Sequence, residues 1–512
     1  MFYLMQAPYK SPSPNFFGFV HTRAMAQAME VLLSAVASDL IGRLVSFVIR
    51  KYQDPSATDD VARLQRALLR AGAVVEEAEG RQIANGAMLL QVNRLRGQMC
   101  RGYYVLDAFR RRAGYPNRRS AASRCRLPPP GGDGADGLAV EARSLEAALS
   151  DMKEFVVLLG SCPRVNRQPY SAYLFMESCM FGRQMEKEQL IGFLLQPAQD
   201  LGVLPIIGPR DVGKRTLVEH VCLDERVRQH FAKIHRVNGD DLDRAPSHDH
   251  ENHHQSMMDA TARSLIVIDL AAAGDADEGE ATWRRFRSSL RRHAHSESKV
   301  ILISRAERHA CLGTAPPLWL RAPRREELWY FFRALAFGAA DPDERPELLR
   351  VAMALFGGIR DDAVFASAGI LAAALRADLS ARSWRRVLAG LLSGAMKLQL
   401  GAAGDGDRGD KRGCYYYLCK PLMDAPGGAP CLFCDKRKSM GVARSDSPKV
   451  TMPELLTGGA VLAGGETRFD VLVWQSRIPP FTSYVATCDL EKARQAVADK
   501  KRVLKRKERP TS

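Results

Sequence analysis

Gly208-Pro209-Arg210-Asp211-Val212-Gly213-Lys214-Arg215-Thr216 sets a lysine directly after the second of two spaced glycines. Glycines let backbone N–H groups curl around a phosphate, and a lysine at that point reaches its outer oxygens. The apolar run Val203-Leu204-Pro205-Ile206-Ile207 before the loop reads as a buried strand, and Leu217, Val218 and Val221 after it read as one helix face. Strand, glycine loop and helix in that order make a P-loop, with the helix N-terminus adding a favourable dipole for an anion. The strict pattern G-x-x-x-x-G-K-[ST] follows its lysine with a hydroxyl that holds Mg²⁺. Here that position is Arg215, and Thr216 comes one residue late. Phosphate cradling by Gly208, Asp211, Val212, Gly213 and Lys214 is therefore expected to survive. Mg²⁺ binding and Mg²⁺-assisted hydrolysis are expected to be weak, because the metal loses a protein ligand. Arg215 is left either to contact a phosphate or to point to solvent.

Two further strands belong with the loop. Leu265-Ile266-Val267-Ile268-Asp269 is an apolar run ending in an acid, as in the Walker B arrangement, where the Asp orients Mg²⁺; a buried strand with an ordinary terminal Asp is the alternative. Val300-Ile301-Leu302-Ile303-Ser304 ends at Arg305, which can sense a terminal phosphate or lie on the surface. Strands alternating with helices predict a doubly wound parallel sheet with its ligand at the C-terminal strand ends. Two clusters could hold zinc. One is His248, His250, His253 and His254, in a polar stretch whose default is a loop or helix start. The other is Cys414, Cys419, Cys431 and Cys434, whose default is ordinary thiols, the first pair flanking an apolar strand. No metal ligand is assigned from either.

Helices must carry this core. Val61, Leu64, Leu68, Ala71, Val75 and Ala78 recur at spacings of three and four, as do Met88, Val92, Leu95, Met99, Tyr103 and Leu106. Leu32, Val36, Leu40, Leu44 and Val48 make an earlier run, and Leu145, Leu149, Met152, Val156 and Leu159 a later one. Four amphipathic helices with short connections predict a bundle over 29–162, coiled-coil-like, with a Pro/Gly-rich loop at 113–138. The rest divides into a P-loop domain at 175–320, a helical subdomain at 321–398 and a Gly/Asp-rich linker at 399–413. A small α+β domain at 414–490, containing the strand Phe469–Trp474, and a basic tail at 491–512 complete the chain. Residues 1–28 lack acids and read as a disordered or upstream extension, with an organelle transit peptide as the alternative.

Composition bounds the function. The 512 residues suit about three domains, and a 46% hydrophobic content excludes wholesale disorder. The longest nearly apolar stretch, Val364 to Leu375, is too short to span a bilayer. Eleven scattered cysteines, an odd number, point to a reducing, cytoplasmic setting. Most of the +16 net charge sits in two short segments: 101–126, with eight Arg and one Asp, and 491–512, with nine Lys/Arg and three acids. That argues against a broad nucleic-acid face. The first segment reads as a solvated or anion-binding loop. Lys500-Lys501-Arg502 and Lys505-Arg506-Lys507 read as a solvated helix end or a nuclear address.

Met180-Phe181-Gly182-Arg183-Gln184-Met185-Glu186 resembles the hydrophobic-Gly-Arg-x-x-Glu motif of the NB-ARC module in plant disease-resistance proteins of the nucleotide-binding, leucine-rich-repeat class, especially cereal-type members. In that family the motif lies near the adenine, which implies a nucleotide-binding place for Phe181, Gly182 and Arg183. Gly208 to Thr216 resembles the family's P-loop, Leu265 to Asp269 its kinase-2 strand, and Lys299 to Arg305 the next strand with its Ser-Arg sensor. Glu326 to Phe332 resembles a helix of the first helical subdomain. Met29 to Val36 and Tyr103 to Phe109 resemble the N-terminal coiled-coil domain. The likeness covers 29 to about 395. Departures accompany it: Leu270 stands where the family has a second acid, the Gly-Leu-Pro-Leu and Met-His-Asp motifs are absent, and no leucine-rich repeat period follows. The resemblance implies ADP or ATP as ligand, protein partners for the helical bundle, and self-association. It implies at most a very weak ATPase with no assigned catalytic residue. A nucleotide-free pseudo-NTPase scaffold working through the bundle is the alternative.

Overall fold

A computed structural model describes residues 60–113, 135–164, 180–197, 200–209, 212–238, 261–270, 278–357, 365–392, 416–419, 431–436, 450–451, 454, 468–481 and 483–489. The readings for 1–59, the histidine cluster, the linker, Cys414 and the basic tail lie outside these residues.

The core is a parallel sheet. β1 (Gly202–Ile207), β2 (Lys233–Asn238), β3 (Ser264–Asp269), β4 (Lys299–Ser304) and β5 (Leu318–Trp319) lie in the order β2-β3-β4-β1-β5. β1, β3 and β4 are buried throughout, because helices cover both faces. Alternate side chains serve opposite faces. Leu204, Ile206, Leu265, Val267, Ile301 and Ile303 pack on α5 (Gln184–Leu195), α6 (Lys214–Cys222) and α7 (Glu225–His230). Val203, Ile266, Ile268, Val300 and Leu302 pack on α8 (Glu278–His293) through Trp283, Phe286 and Leu290.

Among the described residues four helices come before α5: α1 (Asp60–Glu79), α2 (Gly86–Ala113), α3 (Ala135–Ser150) and α4 (Lys153–Gly160). The spacing selects the buried face of α1 correctly, with Leu64, Leu68, Ala71, Val75 and Ala78 inside. The run from Leu145 to Leu159 is not one helix. It breaks at Asp151 and Met152 and restarts as α4, while Met152, Phe155 and Leu159 stay buried. Ser150 and Asp151 compete for backbone hydrogen bonds and favour such a break. The expected loop 113–138 is shorter at its end, since α3 already begins at Ala135.

After the sheet come α9 (Arg325–Phe337), α10 (Pro346–Gly357), α11 (Phe365–Arg376) and α12 (Ala381–Leu392). These helices do not form a core separate from α1–α4. Trp329, Phe332, Phe337, Phe356 and Trp384 join Leu64, Leu68, Leu95 and Met99 in one hydrophobic cluster. The C-terminal sheet contains β6 (Tyr416–Cys419), β7 (Cys431–Lys436), β8 (Val450–Thr451), β9 (Arg468–Gln475) and β10 (Ser483–Asp489), in the order β6-β7-β10-β9-β8. Val471 of β9 reaches the same helical cluster, and Trp474 lies over Gly369 of α11. Cys419 and Cys431 are register partners on β6 and β7. Among the described residues no helix is long and apolar enough to cross a membrane.

A buried charge joins the two helical groups. Asp107 of α2 accepts a hydrogen bond from the Trp329 indole at 3.0 Å and pairs with Arg333 at 3.1 Å. Asp343 binds Arg110 at 2.6 Å and accepts from Gln65 at 3.1 Å. Burial pushes the Asp107 carboxyl up, and Arg333, the Trp329 N–H and Arg110 oppose that. Removing one partner of a buried pair leaves the other uncompensated. Asp107→Ala is therefore expected to cost about 3–5 kcal/mol of stability in chemical denaturation. Arg333→Met added to Asp107→Ala should recover part of the loss.

Glu79, at the end of α1, gives a pH signature. Burial raises its carboxyl to about 7, against the pull of Arg96. A carboxyl raised in the folded state binds its proton more tightly there than in the unfolded chain, so stability falls as pH rises through the interval from its ordinary value to about 7. Glu79→Gln is expected to raise the melting temperature at pH 8 and to flatten its decline over that interval. An unchanged pH profile would refute the buried-carboxyl account.

Candidate nucleotide site

The ends of three parallel strands meet at one edge of the sheet. Ile207 is the register partner of Ser304, and Asp269 that of Ile303. Gly208 N–H donates to the Ser304 carbonyl at 3.3 Å, and Leu270 N–H to the Ile303 carbonyl at 2.9 Å. The glycine loop, the end of β3 and the turn carrying Arg305 thus lie side by side. Parallel α/β sheets bind ligands at this edge.

The loop is shaped by backbone demands. A Cβ on Gly208 would meet the Leu320 carbonyl oxygen at 2.3 Å. Gly213 has φ 93°, a left-handed conformation that favours glycine, and stands directly before α6. Gly213, the N-cap residue, has no side chain to cap this helix, and a helix N-terminus favours an anion. Lys214 is buried, and its ammonium donates to the carbonyls of Gly208 at 2.7 Å and Pro209 at 2.6 Å. Val212 is buried, Thr216 is half-buried, and Asp211 lies outside the described residues. Burial holds His220 of α6 down to about 4, with Lys187 adding to the effect, so the imidazole is neutral near pH 7. Burial likewise lifts Cys222 to about 12, keeping its thiol protonated. Neither residue adds charge beside the loop.

Arg215 does not point free into solvent. Its Nε–H donates to Asp269 Oδ2, and the two form an ion pair. Asp269 is buried, whereas the Arg215 side chain is about half-exposed. Leu270, in the place of a second acid, is packed in the core under α8. These residues do not fit a resident Mg²⁺. The hydroxyl is replaced by a cation, the acid is engaged by that cation, and the next residue offers no oxygen side chain.

The remaining sequence candidates fall on two sides of the loop. Met180 touches the glycine loop, its Cε lying 3.3 Å from where a Gly213 Cβ would stand. Phe181 is buried among the rings of Tyr330, Phe331 and Phe365. Gly182 has φ 74°, and its carbonyl accepts from Arg96 at 3.2 Å. Arg183 donates to Glu186 at 3.0 Å and to the Arg321 carbonyl. Arg305 is exposed at the end of β4. Its turn is fixed by a pair that sequence reasoning did not find: the Ser304 hydroxyl accepts from Ala306 N–H at 3.0 Å and lies 2.7 Å from His309 Nδ1. Leu320 and Arg96 are further supports without a sequence signal, since both reach the site from other elements.

Gly208→Ala is expected to lower stability by about 1–3 kcal/mol, because the added methyl meets backbone rather than a side chain that can turn away. A melt matching the parent protein would show that the loop can move off Leu320.

No protein-family model matches the chain. Disease resistance protein RGA2 of Solanum bulbocastanum is 25% identical over 349 residues, which is 61% of this chain and 34% of that protein. An RPP13-like disease resistance protein of Arabidopsis thaliana is 25% identical over 358 residues, covering 61% of this chain and 33% of its own length. The chain therefore spans about a third of these relatives. Among solved structures, Drosophila ORC bound to DNA and the FIGL-1 AAA domain in complex with ADP each match at 14% identity and a TM-score of 0.24. They cover 42% and 39% of this chain, and 64% of each of theirs. The curated relatives of this chain are plant disease resistance proteins of the NB-ARC class.

Proposed function

We propose that this chain binds an adenine nucleotide, ADP or ATP, in its glycine loop and acts in plant defence signalling as a receptor-like protein. The observation that carries the reading is the buried Lys214 ammonium at the N-terminus of α6, behind a left-handed Gly213. A buried cation at a helix N-terminus, where the dipole favours negative charge, suits an anion. Gly208, Val212, Gly213 and Thr216 would form the cradle with Lys214, Asp211 adding to it as the motif implies. Phosphate oxygens would take over the hydrogen bonds that Lys214 now gives to the loop carbonyls. Phe181, Gly182 and Arg183 would frame the adenine side, and Arg305 the phosphate side. The similarity to disease resistance proteins supports the defence role. Protein partners would dock through the N-terminal helices, and copies of the chain would self-associate, in a cytoplasmic setting with the basic tail as a nuclear address. Hydrolysis is not expected, because Arg215 and Leu270 replace the groups that would hold and activate a metal-bound reactant.

One observation favours a second reading. Lys214 is already satisfied by Gly208 and Pro209, so the loop is closed on its own lysine. A nucleotide-free scaffold working through its helices would look the same.

Nucleotide content separates the two. The purified full chain would be denatured and released ADP and ATP measured by chromatography, with Lys214→Ala as control. Near-stoichiometric nucleotide, lost in the variant, is expected. Protein without nucleotide, whose melting temperature ignores added ADP, would leave the scaffold.

A further inference from the structure

We propose that Arg215 is the resident cation of this site, so that the chain binds nucleotide without Mg²⁺. The inference rests on the nucleotide-binding reading above and concerns what neutralises the phosphates there.

The argument starts with Asp269. A carboxylate at the end of a central strand, beside a glycine loop, is where a P-loop site holds its metal. Here the carboxylate is buried and accepts from the Arg215 guanidinium across 54 residues of sequence. A divalent cation arriving at Asp269 would have to displace that guanidinium and then sit beside its charge. It would also find neither the hydroxyl normally supplied at position 215 nor an acid at 270. Mg²⁺ demands near-octahedral oxygen ligation and gives up its water reluctantly, so one contested carboxylate is a poor site.

The same residue supplies what the metal would have supplied to the phosphates. Arg215 is the second residue of α6, one step beyond Lys214, at the helix end that favours anions. Its Nε–H is used on Asp269, and a guanidinium carries four more N–H donors on its terminal nitrogens. Those donors suit phosphate oxygens, and the planar fork recognises them in pairs. Asp269 then acts as a positioning residue that holds the guanidinium at the strand edge. The Arg215 side chain is about half-exposed, so it is not sealed off from a ligand. One positive charge replaces two, which suits a diphosphate better than a triphosphate. The ligand class is a metal-free nucleoside diphosphate.

The test is calorimetric titration of ADP into the full chain stripped of nucleotide, once in EDTA and once in excess Mg²⁺. The parent protein is expected to bind in EDTA at least as tightly as with Mg²⁺. Arg215→Ser restores the strict P-loop hydroxyl and frees Asp269. It is expected to lose about 10- to 100-fold in affinity in EDTA and to regain part of it when Mg²⁺ is added. Arg215→Lys keeps the charge and the helix, guarding against a folding defect in the serine variant. It is expected to lose less than the serine variant and to remain indifferent to Mg²⁺. Binding by the parent protein only with Mg²⁺ would overturn the inference while leaving the nucleotide reading intact. Equal affinity of the parent and Arg215→Ser in EDTA would also overturn it. Absence of binding under both conditions would instead sink the nucleotide reading itself.

Discussion

The register of the central parallel strands is the constraint on which the site depends. Ile207 opposite Ser304 and Asp269 opposite Ile303 bring three strand ends into one line. A slip of one residue would turn every side chain to the other face and separate those ends. The register is held because β1, β3 and β4 bury both faces. Two apolar layers, one under α5–α7 and one under α8, lock alternate residues of each strand. Everything chemical follows from that line. Gly208 is pinned to Ser304, Lys214 folds beneath the loop, and Arg215 meets an acid far away in sequence.

The helical half of the molecule is organised around burial of a different kind. Segments before and after the sheet fuse into one core, with Trp329 and Trp384 fully buried. Apolar packing supplies the driving force there and is tolerant of direction. The Asp107 contacts with Trp329 and Arg333 are not tolerant, because an ion pair in a dry interior works only in its own geometry. The packing therefore brings α2 and α9 together, and the charge fixes how they face each other.

The legible parts of the sequence were those with one dominant local signal. β1, β3 and β4 announce themselves as continuous apolar runs, and α1 as a clean three-four period. β2 gives no such signal. It is an edge strand whose Lys233, His235 and Arg236 interrupt its apolar residues, so its pairing with β3 decides its conformation. The break between α3 and α4 is hidden for another reason. Met152 sits in a near-helical turn, φ −94° and ψ 9°, so the apolar spacing runs on through it. In the site, the glycine loop and its lysine are local and therefore readable. Arg215 is visible only as a departure from pattern. What it does instead is set by the sheet register, and no spacing within the loop can reveal that. The single helical core is equally hidden, since the sequence places the sheet between its two halves.

The segment from Met180 to Arg183 links these two halves. Met180 lies against the glycine loop at Gly213, while Phe181 sits in the aromatic cluster with Tyr330, Phe331 and Phe365. Arg96 of the N-terminal helices holds the Gly182 carbonyl and lies over the Phe181 ring. Four consecutive residues thus touch the glycine loop, the helices before the sheet and the helices after it. A ligand moves a conformational equilibrium only through differential contacts with its states. Displacement at the glycine loop would press on Met180, and close packing would pass the strain to the Phe181 ring next to it. Arg96 sits beside Glu79, whose charge is itself disfavoured by burial. A loop change and a helical rearrangement would therefore share the same four residues.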